Sequence, residues 1–277
     1  MPFRARDNGE EMKGVELVPA AATASPTAEW IVMVHGMSQD SRVFDRQIQA
    51  FQSRYRILLV DLPGHGAATE MSGPFGHVEF ADHVAKAMRA YEIPSAIIWG
   101  THTGATIGLL LAVRSPRLVG SLVLEGPVVP GRNPPVVVEL IEAARDRIRH
   151  QGREEALQSW WADSCWFDSM RQNPEAFRAD AHRAIIEEFS CAPWLAGTAG
   201  ATVGDIRPGL SRITQPVLIY NGAGDHPDFF AARDEITSRV HHAEVAVIDG
   251  AGGFPAWEMP DAVNTRVHAF LDARSKG

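Results

Sequence analysis

The stretch that decides the fold is Ile97-Ile98-Trp99-Gly100-Thr101-His102-Thr103-Gly104-Ala105, which runs directly into an apolar segment at residues 106–114. A short apolar strand meets one glycine, a second glycine follows after three residues, and a helix begins without a linker. In such a turn the middle residue, His102, is forced towards positive φ. The two glycines omit side chains that would collide where strand and helix pack closely. We therefore predict a sharp strand-to-helix elbow centred on His102.

On both sides of this elbow, buried strands alternate with amphipathic helices. Continuous apolar runs with β-branched residues are typical of strands that a parallel sheet buries on both faces. Alternation of such strands with helices predicts parallel strands joined by right-handed crossovers. The predicted strands are residues 30–34, 56–61, 96–99, 120–124, 216–220 and 244–248, and the predicted helices are residues 40–55, 80–91, 102–114, 228–240 and 261–273.

The alternation breaks between residues 130 and 208, where helical patches occur without a convincing buried strand. A chain of 277 residues with 45% hydrophobic composition suits one large domain with an insertion better than two independent domains. We predict a core formed by residues 1–129 and 209–277, with residues 130–208 as a helical cap. The helical patches of the cap are residues 136–150, 154–166 and 174–189.

The first residues contain a weaker signal. Two short extended segments flank Asp7-Asn8-Gly9, which is a hairpin signal, and the charged pair Glu10-Glu11 is expected to delay the second strand. Residues 21–29 are rich in Ala, Thr, Ser and Pro, so we expect a connecting loop there.

Composition restricts the partners and the compartment. The formal net charge is −8 and the basic residues are scattered, which argues against nucleic acid and anionic membrane surfaces as partners. The expected partner is a small molecule, and a homodimer is left open. Cys165 and Cys191 have no C-x-x-C spacing, so free thiols in a reducing compartment are expected. With a charged start and no run of about 18 apolar residues, we expect a cytoplasmic protein without a membrane span.

Five motifs occur in the order typical of the α/β-hydrolase family. Gly100 to Gly104 has the spacing of the G-x-S-x-G elbow, His35-Gly36 resembles the oxyanion loop, and residues 61–66 resemble the D-x-P-G-x-G turn. Residues 216–225 look like the strand and loop that carry the acid, and residues 249–263 look like the loop of the catalytic histidine. The resemblance covers nearly the whole chain after Trp30. It implies an α/β-hydrolase fold, with a mostly parallel central sheet flanked by helices and a helical cap insertion.

Two departures from the family pattern concern its chemistry. His102 stands where the family presents its nucleophile, in Gly-Thr-His-Thr-Gly, and Gly253 stands where it has the catalytic histidine. Serine and histidine act as one unit, so loss of either costs most of the rate, on the order of a millionfold. A standard acyl-serine mechanism is therefore not assigned. We expect His102→Ser with Gly253→His to restore measurable acyl transfer, and His102→Ser alone to fail.

His102 has two interpretations. At the N-terminus of a helix the positive end of the dipole disfavours imidazolium, so a neutral ring is available as a base near pH 7. Alternatively, His102 only fills the turn, because histidine is enriched at positive φ. The resemblance implies an orienting acid at Asp225, which follows Gly222-Ala223-Gly224, or at Glu125, which ends the strand after the elbow. Loop solvation or helix capping is the alternative for both carboxyls.

Other candidate site residues follow from the resemblance. The backbone N–H groups of Met37 and Thr103 would form an oxyanion hole, with Gly36 and His35 in the same loop. A structural role for His35 is equally open. Phe254, in the loop of the missing histidine, is expected to contact the substrate.

The predicted cap is rich in tryptophan. Trp161 belongs to a group, with Trp160, Trp166, Phe167 and Trp194, that either packs the core of the cap or forms an aromatic roof over a pocket. No H-x-H, H-E-x-x-H or G-x-G-x-x-G spacing occurs at a suitable place, so we expect neither a metal nor a cofactor.

Two functions follow from these observations. The first is an enzyme that acts without a cofactor on a small apolar or aromatic carbonyl compound by hydrolase-like or lyase-like chemistry, with His102 at the elbow. The second is a hydrolase-like ligand-binding protein that keeps the pocket and has lost turnover, which Gly253 favours. Motifs retained elsewhere do not decide between the two, because they serve folding as much as chemistry.

The absence of a serine from the elbow has a direct consequence for labelling. We expect serine-directed fluorophosphonates to leave the protein unmodified and p-nitrophenyl esters to be turned over slowly or not at all. Intact-protein mass spectrometry after incubation with the probe measures the first of these. Stoichiometric modification of one serine would contradict the prediction.

Overall fold

A computed structural model describes residues 6–7, 10–19, 25, 27–130, 134–196 and 203–274. Nine strands are formed in this part of the chain, and seven of them make one sheet. The strands are β1 (Arg6–Asp7), β2 (Glu10–Glu11), β3 (Val15–Leu17), β4 (Trp30–Val34), β5 (Arg56–Val60), β6 (Ala96–Thr101), β7 (Val119–Glu125), β8 (Val217–Gly222) and β9 (Glu244–Ile248).

The large sheet has the order β3-β5-β4-β6-β7-β8-β9. β3 runs antiparallel to β5, and every other neighbouring pair is parallel. Every residue of β4, β6 and β8 is buried, as expected for strands covered by helices on both faces. The predicted mostly parallel sheet is therefore confirmed.

The start of the chain differs from the expectation in two details. β1 and β2 pair antiparallel as the hairpin signal suggests, but the second strand already begins at Glu10. Residues 8–9 of the proposed turn lie outside the described residues. β3, which the sequence analysis did not identify, is only three residues long and only partly buried, so it lacks the continuous apolar run of the other strands.

Twelve α-helices occur in the described residues, and short 3-10 turns lie at Ser41–Phe44, Gly66–Ala68, Pro116–Leu118 and Cys165–Phe167. The helices are α1 (Asp45–Phe51), α2 (His77–Ala90), α3 (Thr103–Arg114), α4 (Pro135–Gln151), α5 (Arg153–Asp163), α6 (Asp168–Gln172), α7 (Ala179–Glu187), α8 (Ala192–Leu195), α9 (Arg207–Leu210), α10 (Pro227–Thr237), α11 (Pro255–Glu258) and α12 (Pro260–Arg274).

Helices α4 to α9 all lie between β7 and β8, with no strand among the described residues of that segment. We call this segment the helical insertion. Its aromatic side chains, including Trp160, Trp166 and Phe167, join one of the two hydrophobic clusters of the protein, which also contains buried residues of the sheet and of α12. α9 spans the predicted boundary at residue 208 and packs against α3, so the division of the chain at residues 130 and 208 stays a prediction.

None of the helices in the described part of the chain combines the length and the apolar composition that a membrane span requires.

The elbow depends on a close backbone approach between α3 and β4. A Cβ atom added at Gly104 would lie 1.9 Å from the carbonyl oxygen of Val34, and one added at Gly100 would lie 2.2 Å from the carbonyl carbon of Gly104. Real Cβ atoms do not approach backbone atoms this closely, so α3 can reach the end of the sheet only with glycine at both positions.

We expect Gly104→Ala to lower the free energy of unfolding by at least about 3 kcal/mol, because its Cβ meets backbone that cannot move locally. Gly108→Ala on the same helix is the matched control. Its Cβ meets only side-chain atoms, of Leu124 at 3.2 Å and of Ile98 and Leu122 at 3.4 Å, and alanine gains helix propensity, so a change within about 1 kcal/mol is expected. Urea unfolding of both variants measures the difference, and equal stabilities would contradict the packing argument.

Candidate active site

The elbow holds His102 in a strained backbone conformation. β6 ends at Thr101, α3 begins at Thr103, and His102 between them has φ 47° and ψ −104°, which confirms the predicted positive φ. This region is costly for a residue with a Cβ. Its N–H donates to the carbonyl of Glu125 at 2.7 Å, and its carbonyl accepts from the N–H of Thr106 at 2.9 Å. Backbone hydrogen bonds on both sides therefore hold the strained residue in place.

The imidazole of His102 is buried and neutral. Its Nε2 lies 2.7 Å from the carbonyl oxygen of Gly253. Because a carbonyl can only accept, Nε2 carries the hydrogen and Nδ1 keeps a lone pair, with no hydrogen-bond partner among the described residues. The ring packs between Phe229 and Phe254, with centroid distances of 5.1 and 4.6 Å. Burial lowers the pKa of His102 to about 4, although the bond to Gly253 opposes this shift.

The expectation that a carboxyl orients His102 is wrong, because neither ring nitrogen is hydrogen-bonded to a carboxyl group of the described residues. The side chain of Glu125 accepts instead from the N–H of Ala256 at 2.7 Å. Asp225 accepts from the side-chain amide of Asn221 and from the N–H of His226, both at 2.8 Å. Neither carboxyl is hydrogen-bonded to His102. The carbonyl of Gly253 takes that place, because the loop without a side chain at this position brings its own backbone to the ring.

The helical insertion fills the space next to Gly253. A Cβ atom added there would lie 2.6 Å from both the Cβ and the carbonyl oxygen of Trp166. A histidine at position 253 therefore requires the 3-10 turn Cys165–Phe167 to move. This geometry argues against our expectation that His102→Ser with Gly253→His restores acyl transfer.

One of the two predicted oxyanion donors, the N–H of Met37, is engaged within the protein, as is the N–H of the preceding Gly36. The N–H of Met37 donates to Oγ1 of Thr103 at 3.2 Å, and the N–H of Gly36 donates to Oε1 of Gln39 at 3.1 Å. The side-chain amide of Gln39 in turn lies 2.8 Å from Nε2 of His182, in α7 of the helical insertion. The loop is thus held by side chains from two different parts of the chain.

His35 in this loop has a structural environment. Its Nδ1 lies 2.7 Å from the carbonyl of Gly36, and its Nε2 accepts from the N–H of Leu62 at 2.9 Å. Both ring nitrogens are therefore used, and the side chain is fully buried. His35 connects two loops at the end of the sheet and does not line the cavity.

A cavity of about 450 Å³ lies between the elbow and the helical insertion. Of the residues predicted from the sequence, it is lined by Gly36, Met37, His102, Thr103 and Phe254. His35, Glu125, Asp225 and Trp161 are not in its wall. Of the predicted tryptophan-rich group, Trp160 and Trp166 line the cavity. Lining residues that were not predicted from the sequence include Phe75, His77, Phe80, Val137, Ile141, Glu142, Arg145 and Phe229.

The prediction that Trp161 contacts the substrate is therefore corrected. Its ring packs on Phe167, with centroids 4.8 Å apart, and lies near His182. The neighbouring Trp160 lines the cavity instead, because successive residues of a helix point in different directions. Part of this wall was predictable from the sequence. Residues 137, 141 and 145 are spaced four apart, so they lie on one face of α4.

Three buried carboxyls lie close to the loop that carries Gly253. Burial and neighbouring carboxyls raise the pKa of Glu125 to about 8 and that of Glu258 to about 7, and burial raises the pKa of Asp225 to about 7. Glu125 binds the N–H of Ala256, and Glu258 binds the N–H of Gly252. The contact of Glu125, at the end of β7, ties the loop to the sheet, and that of Glu258 ties it to α11. Among the described residues, no three His, Cys, Asp or Glu side chains are grouped so that they could hold a metal ion.

The raised pKa of Glu125 contributes to the pH dependence of the free energy of unfolding. The folded protein retains a proton that the unfolded carboxyl loses near its ordinary pKa of 4.5, so the free energy of unfolding falls as pH rises towards 8. Below about pH 6.5 this fall is opposed by buried histidines with lowered pKa values, such as His83 and His102. The fall is therefore expected to be clearest between pH 6.5 and 9.

We expect the free energy of unfolding to fall less between pH 6.5 and 9 in Glu125→Gln than in the wild type. The reason is that the amide cannot ionise, while its oxygen can still accept from the N–H of Ala256. Urea unfolding at both pH values measures the difference. Glu155→Gln, at an exposed position of α5, is the control and should follow the wild type. An equal loss in Glu125→Gln and wild type would contradict the assignment of this titration to Glu125.

Comparison with known proteins agrees with this geometry. Residues 29–260 match the family model described as alpha/beta hydrolase fold. The chain is 23% identical to 3-oxoadipate enol-lactonase 2 of Acinetobacter baylyi, over 87% of this chain and 88% of the relative. It is 27% identical to 2-succinyl-6-hydroxy-2,4-cyclohexadiene-1-carboxylate synthase of an Enterobacter species, over 91% and 95% of the two chains.

A similar solved structure supports the fold. The crystal structure of the enol-lactonase from Burkholderia xenovorans superposes with a TM-score of 0.80 at 20% identity, over 93% of this chain and 96% of that chain. Together with the sheet order and the elbow, the family match leads to one conclusion: the chain belongs to the alpha/beta hydrolase fold family, whose relatives include hydrolases and esterases that act on small molecules.

Proposed function

We propose that this protein is a ligand-binding member of the family, which takes a small, largely apolar molecule into the cavity beside His102 and does not carry out acyl transfer. One observation carries the proposal. The two positions at which the family has its nucleophile and its base are bonded to each other, as the Nε2–H of His102 and the carbonyl of Gly253, at 2.7 Å.

The electrostatics of His102 support binding over turnover. A proton accepted by this ring would create a buried cation, and no carboxyl is hydrogen-bonded to it to stabilise that charge. A pKa of about 4 also makes the ring a weak base at pH 7. Two further features point the same way: Trp166 fills the space of a histidine at position 253, and the hydroxyl of Thr103 accepts from the N–H of Met37.

The cavity wall indicates the ligand. A volume of about 450 Å³ suits a small organic molecule, and most lining residues are apolar or aromatic. Nδ1 of His102 offers a hydrogen-bond acceptor, which suits a hydroxyl or N–H donor on the ligand. The relatives named for an enol-lactone and for a cyclohexadiene carboxylate support a small carbonyl compound as the ligand class. On this proposal residues 130–208 act as a cap over the bound molecule.

A cofactor-free enzyme is the second candidate, and one observation favours it. His102 lines the cavity with Nδ1 unpartnered among the described residues, while the carbonyl of Gly253 fixes the tautomer in which Nδ1 can accept a proton. On this alternative, His102 would remove a proton from the substrate or from water, in hydrolase-like or lyase-like chemistry.

Matched probes test the binding proposal. We expect 2-naphthol, which can donate to Nδ1, to lose about three- to tenfold in affinity in His102→Ala, because one hydrogen bond contributes about 0.5–1.5 kcal/mol. The affinity of 2-methoxynaphthalene, which lacks the donor, should change less. Isothermal titration calorimetry measures both, with His242→Ala, an exposed histidine, as the control. Absence of binding of both probes to the wild type would contradict the proposal.

Turnover separates the two candidates. The binding proposal expects no consumption of 2-naphthyl acetate or of related carbonyl compounds by the wild type. If the wild type consumes such a compound, and His102→Ala abolishes this while ligand affinity stays within about tenfold, the enzyme is the better explanation.

A further inference from the structure

A cation in the wall of an apolar cavity is the feature that the proposed function leaves unexplained. Arg145 lines the cavity from α4, beside Ile141. Its side chain is 19% exposed, whereas that of Arg149, one turn further along the same helix, is 54% exposed. Placing a guanidinium in a largely apolar wall is unfavourable unless its charge and its donors are used.

The side chain of Arg145 is held by the protein, but not all of its hydrogen-bond donors are used. Its Nε donates to the carbonyl of Trp194 at 2.7 Å, which fixes the plane of the guanidinium against α8. Its Nη1 donates to a carboxylate oxygen of Glu142, three residues earlier on α4. Nη2 makes no hydrogen bond with any described residue. The outer edge of the guanidinium therefore keeps donors that a ligand could use.

Glu142 is a replaceable partner. Its side chain is 56% exposed, so its carboxylate remains largely solvated and loses little by turning towards water. Exposed ion pairs of this kind contribute only about 0–1 kcal/mol. A ligand anion that reaches Arg145 from the apolar side would compete with Glu142 for the same donors.

The other described residues of the wall offer no second cationic side chain at pH 7. Among the described residues that line the cavity, Arg145 is the only lysine or arginine. His77 and His102 are the histidines of this wall, and burial lowers the pKa of both, so they are neutral at pH 7. An anionic ligand thus has one charged side chain to pair with, and most of its remaining surface must suit aromatic and aliphatic side chains.

We propose that Arg145 binds a carboxylate of the ligand, so that the cavity takes an organic acid with an apolar body. The planar fork of a guanidinium matches two carboxylate oxygens. A dianionic phosphate would need more donors than this single cation provides. The inference rests on the proposed function, because it assigns the ligand class of the same cavity.

Two probes with the same apolar body test the inference, 2-naphthylacetate and 2-naphthylacetamide. We expect the wild type to bind the acid at least about tenfold more tightly than the amide, as hydrogen bonds to charged groups contribute about 1.5–3 kcal/mol. Arg145→Met should remove this preference and leave amide affinity within about threefold. Isothermal titration calorimetry gives all four affinities.

Three further variants exclude a general packing effect. Glu142→Gln removes the competing carboxylate and leaves Arg145 in place, so acid affinity should rise about threefold or more. Arg145→Lys keeps the charge without the fork and should lie between wild type and Arg145→Met. Arg149→Met also breaks an i,i+3 ion pair on α4, with Asp146, and should leave both affinities within about twofold.

The outcomes distinguish the inference from the proposed function. Equal binding of acid and amide to the wild type, an equal loss of both in Arg145→Met, or weaker acid binding in Glu142→Gln would overturn the role of Arg145. Amide binding in any of these cases would leave the cavity as a ligand site. If neither probe binds the wild type, the proposed function fails, and the inference fails with it.

Discussion

The packing of α3 against the end of β4 is the constraint on which the site depends. Gly104 lies so close to the carbonyl of Val34 that no Cβ fits between them. This contact places the start of α3 directly at the carboxyl ends of the central strands β4 and β6. It thereby forces His102 into its strained turn. The same contact fixes where the elbow side chain projects, whatever that side chain is. The fold can therefore keep its elbow when the chemistry of the elbow residue changes.

Gly253 accounts for much of the environment of the His102 side chain. Without a side chain at this position, the loop backbone approaches the imidazole, and the 3-10 turn that carries Trp166 occupies the remaining space. The hydrogen bond to the Gly253 carbonyl fixes the tautomer of His102 but supplies no negative charge. Burial then keeps the ring neutral. An imidazole held in this way is suited to accept a hydrogen bond and poorly suited to hold a proton.

The fold could be predicted from the sequence because its signals are local. The continuous apolar run at residues 30–34 corresponds to β4 without any shift of its ends. The predicted strand at residues 244–248 likewise matches β9, although only its last residue is buried. The spacing of Gly100 and Gly104 located the elbow. β3 was not identified, because a strand of three residues, two partly buried and one exposed, is too short to establish a periodic pattern. Strands of five residues or more were thus predictable, including the largely exposed edge strand β9, and the edge strand of three residues was missed.

The site was less predictable because it depends on approach distances between segments far apart in the chain. The sequence identified His102, Met37 and Thr103 as neighbours, since their loops meet at the carboxyl end of the sheet. It could not show that the carbonyl of Gly253 would reach the ring, or that Trp160 rather than Trp161 would face the cavity. Arg145 was missed for a related reason: a charged residue on an amphipathic helix normally indicates a solvated face.

The retained acids show why family motifs are weak guides to activity in this chain. Asp225 and Glu125 occupy the positions at which the family resemblance implies an orienting acid. Asp225 accepts instead from Asn221 and His226, and Glu125 is hydrogen-bonded to Ala256 and to the side chain of Tyr220. Burial raises the pKa values of both carboxyls, which is unfavourable for their charged forms, so their retention requires a compensating contact. The hydrogen bond to the N–H of Ala256 supplies such a contact for Glu125, and those to Asn221 and His226 supply it for Asp225. An acid motif can therefore persist in this fold through the backbone groups it satisfies, independently of the imidazole that it would otherwise orient.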